Sequence, residues 1–264
     1  MGQPVLKLYA EELRQARTDA GLSQEGLAGR IHFSTSLVAH VEQCRRPPNA
    51  EFTARCDQAL NTGGRLERIR KTALAESLVP WFQNWALIEA EATDLKTFEP
   101  LVVPGLLQTE EYTRAQYRAG ARFYGDELER QVEARLARQE ILTRDHSPRC
   151  VFVLDEYVLR RPFGSPTVMR AQLARLLEVA NLPNVQLQVV PASAGPYPGL
   201  DGSFVLASWH GTDVCYLESR VRGIYLERAE DVASFRDAWE SIRGEAASCG
   251  RTVELIREVM DTWT

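Results

Sequence analysis

Apolar positions recur three and four residues apart through the first 60 residues, and a period of 3.6 predicts helices. Leu13 and Ala16 share the inner face of a helix from about Leu6 to Ala20, and Gly21 supplies its stop. Ala28 and Ile31, then Val38 and Val41, mark two shorter helices joined by a tight turn at His32. Ser23 and Ser34 stand where each needs an N-cap, since a short hydroxyl side chain accepts from the orphan N–H groups of a first turn. After the loop Pro47-Pro48-Asn49, Phe52, Cys56 and Leu60 are spaced four apart on a fourth helix, Glu51 to Leu60. Gly26 and Gly29 weaken the second helix by roughly 1 kcal/mol each relative to Ala, so its order must come from packing. Asn61-Thr62-Gly63-Gly64 closes this all-α bundle, which gives a first domain over 1–64.

Beyond residue 64 the pattern changes twice. A helix from about Arg65 to Leu78 is broken by Pro80, and Trp81, Trp85, Ile88 and Ala92 then fall on one helical stripe. A short extended run leads to Pro104-Gly105 and a helix containing Tyr112, followed by an amphipathic stretch from Asp126 to Arg144. From residue 147 strands alternate with helices: Val151–Asp155, a helix opened by Ser165-Pro166 that runs to about Ala180, and Gln186–Val190. A Pro/Gly-rich loop over 191–202 precedes a hairpin of Ser203–Trp209 and Val214–Glu218, a short strand Gly223–Glu227, and two closing helices. The expected fold is multidomain α+β: an N-terminal helix-turn-helix bundle, a helical segment over 65–146, and a small, mainly antiparallel sheet packed by helices over 147–264. Residues 65–264 are expected to act as one effector- or partner-binding domain.

A length of 264 residues fits about two domains. The net charge of −5 argues against a chain built only to hold DNA, but its distribution is uneven. Residues 1–75 hold 11 basic and 8 acidic side chains, whereas the rest holds 20 and 28. Only the N-terminal part has the sign that favours phosphate, and its excess is small enough to call for two copies on one duplex. A homodimer on double-stranded DNA is therefore expected. With no run of about 18 apolar residues and no basic-then-apolar leader, the chain is expected in the cytoplasm and away from membranes. Cys44, Cys56, Cys150, Cys215 and Cys249 are scattered and read as reduced thiols, and the four histidines show no metal-ligand spacing.

Candidate chemistry is sparse. The chain lacks Gly-x-Ser-x-Gly, a phosphate loop, His-Glu-x-x-His and a dinucleotide fingerprint. Asp155-Glu156 ends a strand, where neighbouring side chains point to opposite faces, so it reads as an ion pair with Arg160 or Arg161. Glu89 and Glu91 read as a solvated helix face, and Glu218, Arg220 and Arg222 as edge-strand charges. No enzyme activity, cofactor or metal is expected.

The residues from Ser23 to Pro47 have the layout of a helix-turn-helix DNA reader. Gln24, Ala28, Ile31, Val38 and Val41 together resemble the lambda-repressor-like, xenobiotic-response-element type of that module. His32 departs from the glycine common at the turn. The resemblance implies that Gln24 contacts a phosphate. A recognition helix over about Thr35 to Gln43 would turn Thr35, Ser36, Ala39 and His40 toward base edges, with Ser34, Arg45 and Arg46 on the backbone. Glu42 would orient a neighbour, since a carboxylate is repelled by phosphate.

A second resemblance covers the rest. Pro104 to Thr109, Tyr112 and Ala115 spell the phrase PGLLQT-x-x-Y-x-x-A. Arg138, Gln139 and Leu142 follow, and then Leu159 to Gly164 as LRRP-x-G. These are similar to an actinobacterial C-terminal domain of unknown function that follows such modules in antitoxin-like regulators. The resemblance implies a partner, a small protein encoded nearby, that docks on this domain. Trp81, Trp85 and Tyr112 are the candidate partner- or ligand-binding residues. Three readings stay open: a docking surface, a small-molecule sensor pocket lined by Trp81, Trp85 and the 191–202 loop, and a fold-stabilising turn at 104–116.

Overall fold

The computed structural model describes residues 3–45, 48–77, 80–119, 128–218 and 223–264, with the side chains of 3–6, 73–77 and 80–81 excepted. Arg46, the Trp81 side chain, Arg220 and Arg222 lie outside the described residues. The chain divides into two units, 1–79 and 80–264.

The first unit is helical: α1 (Gln3–Asp19), α2 (Gln24–Ile31), α3 (Thr35–Glu42), α4 (Ala50–Leu60) and α5 (Arg65–Ser77). Ser23 accepts from the Gly26 N–H and Ser34 from the Leu37 N–H, so both short helices start at the expected caps. Helix α2 stops because His32 turns left-handed, with φ of 56°. Leu13, Leu27, Ala28, Ile31, Val38, Val41, Phe52 and Cys56 form its core, as the 3.6 period requires. Leu66 is fully buried in the same cluster, so α5 packs with this unit. Arg55 donates to the Ile31 carbonyl at 2.9 Å and lies over the Phe33 ring, closing the C-terminal end of α2. Gly29 is exposed and a Cβ there would meet nothing within 4 Å. Gly29→Ala should therefore raise the stability of the first unit by roughly 0.5–1 kcal/mol, read as a higher urea midpoint with an unchanged slope.

The second unit is built on a six-stranded sheet in the order β3-β2-β1-β4-β5-β6, with β1 (Asp94–Glu99), β2 (Arg149–Asp155), β3 (Val185–Val190), β4 (Phe204–Trp209), β5 (Thr212–Glu218) and β6 (Gly223–Leu226). The half from β1 through β4 and β5 to β6 is antiparallel, while β1, β2 and β3 run parallel. The parallel steps need helical crossovers. The first passes through α7 (Glu110–Ala119) and α8 (Leu128–Ala137), the second through α9 (Glu156–Arg160) and α10 (Pro166–Val179). Helix α6 (Pro80–Glu91) precedes β1, with Pro80 as its first residue, and α11 (Ala229–Glu245) and α12 (Cys249–Asp261) follow β6. Strand β1 was not expected at Asp94–Glu99. Four of its six residues, Asp94, Lys96, Thr97 and Glu99, are polar, which hides a central strand from a reading that looks for apolar runs.

The two sheet faces are covered differently. Phe98, Val153, Phe204, Leu206 and Cys215 pack beneath Val232, Trp239 and Ile242 of α11. The opposite face carries the row Phe152, Thr97, Val205, Tyr216 and Tyr225 across five strands. Trp85 of α6 stacks on Tyr216, with ring centroids 4.6 Å apart and planes within 10°. Strand β3 is an outer strand, and its Val189 N–H donates to the Thr252 hydroxyl while its carbonyl accepts from Ala247 N–H, which blunts that edge.

The Asp155-Glu156 pair is structural. Glu156 pairs with Arg160 at 2.7 Å and accepts from the Ala192 N–H, while Asp155 caps α9 and accepts from the Tyr197 hydroxyl at 2.6 Å. Together they latch the 191–202 loop. Gly199 of that loop lies so close to Phe98 that a Cβ would come within 2.4 Å of the ring. No two cysteines form a disulfide among the described residues. Burial pushes the Cys56, Cys150 and Cys215 thiols up to about 12. Among the described residues no helix is long and apolar enough to cross a membrane, and no cluster of three or more potential ligands is placed to hold a metal.

Candidate functional site

The first site is the outer face of α3. Val38 and Val41 are buried, and the 3.6 period that turns them inward leaves Thr35, Ser36 and His40 exposed and Ala39 half-buried between them. Ser34 and Arg45 flank that face and are also exposed. The helix is anchored at its end by Glu42, which is only 2% exposed. Its carboxylate accepts two bonds from the Arg17 guanidinium, at 2.6 and 3.0 Å, and one from the Gln24 amide at 2.8 Å. Arg14 reaches the Glu42 carbonyl at 2.7 Å. Burial alone would push this carboxyl up. The bonds from Arg17 and Gln24 outweigh it and hold the group below the usual carboxylate range. Gln24 thus has an internal role that its sequence position did not disclose, tying the start of α2 to the end of α3. One amide hydrogen is committed to Glu42 and the other is left for an outside acceptor.

The second site is a cavity of about 170 Å³ on the Tyr216 face of the sheet. Trp85, Phe82, Phe152 and Tyr216 give it aromatic walls, and Glu89, Glu99, Glu218, Arg135 and Arg138 its charges. Glu89, read from sequence as solvated, is buried because Arg138 grips it with two bonds of 2.8 Å. Glu91, its neighbour in that reading, is exposed and accepts from Trp209 and His210. Arg135 is held at one end by Gln108 and Gln116 and lies over the Tyr117 ring, but its Nε is buried without a partner. The Tyr216 hydroxyl is buried and unpartnered as well. The tip of that ring occupies space left open by Gly223, where a Cβ would lie 2.6 Å from the hydroxyl oxygen.

One rim of this cavity is the PGLLQT segment, whose letters have internal partners. Gly105–Leu107 is a single 3-10 turn. Gln172 of α10, fully buried, accepts from the Thr109 N–H at 2.7 Å and donates to the Leu107 carbonyl at 2.8 Å. Gln139 donates to the Gly105 and Gln108 carbonyls, and Gln108 donates to the Val103 carbonyl. Tyr112 is fully buried, its hydroxyl accepting from the Val103 N–H at 3.2 Å.

Of the residues expected to bind a partner or ligand, Trp85 lines the cavity, whereas Tyr112 neither lines it nor reaches the surface. The loop over 191–202 does not line it either. Gly199 and Tyr197 pack on Phe98, whose side chain points to the face opposite Thr97 and Glu99. Glu99, Arg135, Tyr216 and Glu218 were not singled out as a site by the sequence reading. For Glu99 the signal was the polar residues of β1; Arg135, Tyr216 and Glu218 come from other elements and carried none.

Comparison with known proteins bears on both units. No curated protein matches the chain. No solved structure matches it. A family model described as a helix-turn-helix domain matches residues 8–68, so the first unit carries a helix-turn-helix DNA-binding domain. A second model, described as a domain of unknown function (DUF5753), matches residues 82–258. That match spans more than half of the chain, which therefore belongs to the DUF5753 family and carries its helix-turn-helix at the N-terminal end.

Proposed function

We propose that this protein is a sequence-specific transcription regulator of the lambda-repressor-like type that binds double-stranded DNA as a homodimer. The observation that carries the reading is the polar, exposed face of α3 on a helix pinned from behind by Glu42. Inserted in a major groove, Thr35, Ser36, Ala39 and His40 read base edges. Gln24, Ser34 and Arg45, with Arg46 beyond the described residues, hold phosphates and fix the register. The second unit controls this binding. The antitoxin-like reading, in which a small protein encoded nearby docks there, rests on the resemblance of its motifs. The cavity behind Trp85 favours a small-molecule effector instead.

Fluorescence anisotropy against the DNA upstream of the protein's own gene, beside a random duplex and at several salt concentrations, tests the DNA reading. Thr35→Ala with His40→Ala should weaken binding to the first duplex by roughly 10- to 100-fold and leave the second unchanged. Equal loss on both duplexes would place these side chains on the phosphates rather than the bases.

A further inference from the structure

The charges around the cavity cancel. Glu89 and Arg138 neutralise each other in a two-bond pair. Arg135 is offset by Glu218, which is exposed. Glu99 is neutral near pH 7, because burial and the neighbouring Glu218 push it up to about 8 against the pull of Arg135. A charged occupant of either sign would bring an uncompensated charge into a half-desolvated space, which is costly. The occupant that the site admits without that cost is neutral.

Hydrogen bonds left unspent narrow it further. The Arg135 guanidinium uses only Nη1, which donates to the side-chain oxygens of Gln108 and Gln116 at 3.3 Å each. Its Nε and Nη2 donate to nothing among the described residues, and Nε is buried. Residue 105 on this wall is a glycine, and a Cβ there would stand 3.6 Å from Nε, so no side chain from that position covers this edge of the guanidinium. Glu99, half-buried at the end of β1, makes no hydrogen bond either. A protonated carboxyl offers one donor and one acceptor side by side, and Arg135 adds further donors. The complement of that set is a carbonyl with an N–H next to it, the edge of a carboxamide. The Tyr216 hydroxyl lies over Gly223 and takes no part. The volume of about 170 Å³ limits the rest of the molecule, because cavities of about 150 Å³ hold a body the size of benzene. Phe82, Trp85 and Phe152 make the wall aromatic, which suits a flat ring.

We propose that the cavity binds a neutral carboxamide carried on a single flat ring, its carbonyl accepting from Arg135 and from the Glu99 carboxyl, its N–H donating to Glu99, and its ring packed among Phe82, Trp85 and Phe152. This rests on the small-molecule reading of the second unit and names the chemistry of the effector. Binding requires the protonated form of Glu99. Once Glu99 ionises, its O–H donor is lost and its charge draws the Arg135 guanidinium to itself, so affinity is full below about pH 8 and falls above it. The other charged groups facing the cavity, Glu89 and Arg138, stay paired.

Isothermal titration of the full chain with benzamide, benzoate and benzylamine tests this without DNA, so its outcome is separate from that of the operator experiment. At pH 7 benzamide should bind at least about tenfold more tightly than either charged analogue. Its affinity should fall at least about threefold between pH 6.5 and pH 9, a range over which benzamide itself does not titrate. Glu99→Gln keeps a donor and an acceptor in place and cannot ionise, so it should retain benzamide binding and lose the pH dependence. Glu99→Leu removes both bonds and should cost roughly tenfold in affinity while melting no lower than the parent. Benzoate or benzylamine binding as tightly as benzamide would overturn the neutral carboxamide and leave an effector of another charge. No binding by any of the three, an affinity unmoved in Glu99→Leu, or a pH dependence that persists in Glu99→Gln would overturn it as well.

Discussion

Glu42→Ala is expected to cost the first unit about 3–5 kcal/mol, because it leaves the Arg17 guanidinium, 13% exposed, without its two-bond partner and frees Gln24 from α3. That is a large part of the stability of a small helical bundle, so DNA binding should fall with it on every sequence. Removing both charges together has a different result. Glu42→Leu with Arg17→Met replaces the pair by apolar volume and should recover most of the loss, since a buried ion pair contributes little beyond well-packed hydrocarbon. Urea denaturation followed by circular dichroism measures both variants. A single substitution costing under about 1 kcal/mol would show that the pair is solvated in solution and does not anchor α3.

Gln172→Leu is the second change with a large expected effect. The leucine fills similar volume but leaves the Thr109 N–H and the buried Leu107 carbonyl without their bonds, at a cost of about 1–3 kcal/mol for each group. A combined loss near 3 kcal/mol lowers the melting temperature of a unit this size by roughly 6–12 °C. The segment it releases is the wall of the cavity at Gly105 and Leu106. Gln172→Glu keeps the acceptance from Thr109 but loses the donation to Leu107 and buries an unpaired charge. It should melt at or below the leucine variant in differential scanning calorimetry. A melting temperature within about 2 °C of the parent for Gln172→Leu would mean that the turn holds itself.

The first unit was readable almost entirely from its residues, because its signals are local. Ser23 and Ser34 cap, His32 adopts the left-handed turn, and Ala28, Ile31, Val38 and Val41 repeat with the helical period. Even there the hidden part was a contact distant in sequence, since nothing near Gln24 announces that its amide serves Glu42. In the second unit Gln186–Val190 was visible as alternation, Val151–Asp155 through the resemblance, and the hairpin of β4 and β5 through its turn at His210–Asp213. Strand β1 was not, for the same reason that the cavity was not: Thr97 and Glu99 are polar and face an open-sided cavity rather than packed core. The motif letters Pro104 to Thr109 and Tyr112 were legible as a phrase, but a phrase does not say whether it faces solvent. Three glutamines from α10, the 138–142 turn and the segment itself decide that it faces inward.

The place of β1 in the sheet also bears on the order in which the chain can fold during synthesis. It is the earliest strand made, yet it lies third of six and needs β2 on one side and β4 on the other. The helical unit ahead of it closes through near-neighbour contacts and can form as soon as it is made, whereas the sheet waits for a strand more than a hundred residues downstream. Until Phe204–Trp209 arrives, one edge of β1, the open side of the parallel half, has no partner. A message truncated between β3 and β4 would therefore yield a protein with an intact DNA-binding end and a bare strand edge, prone to pair with another copy of itself.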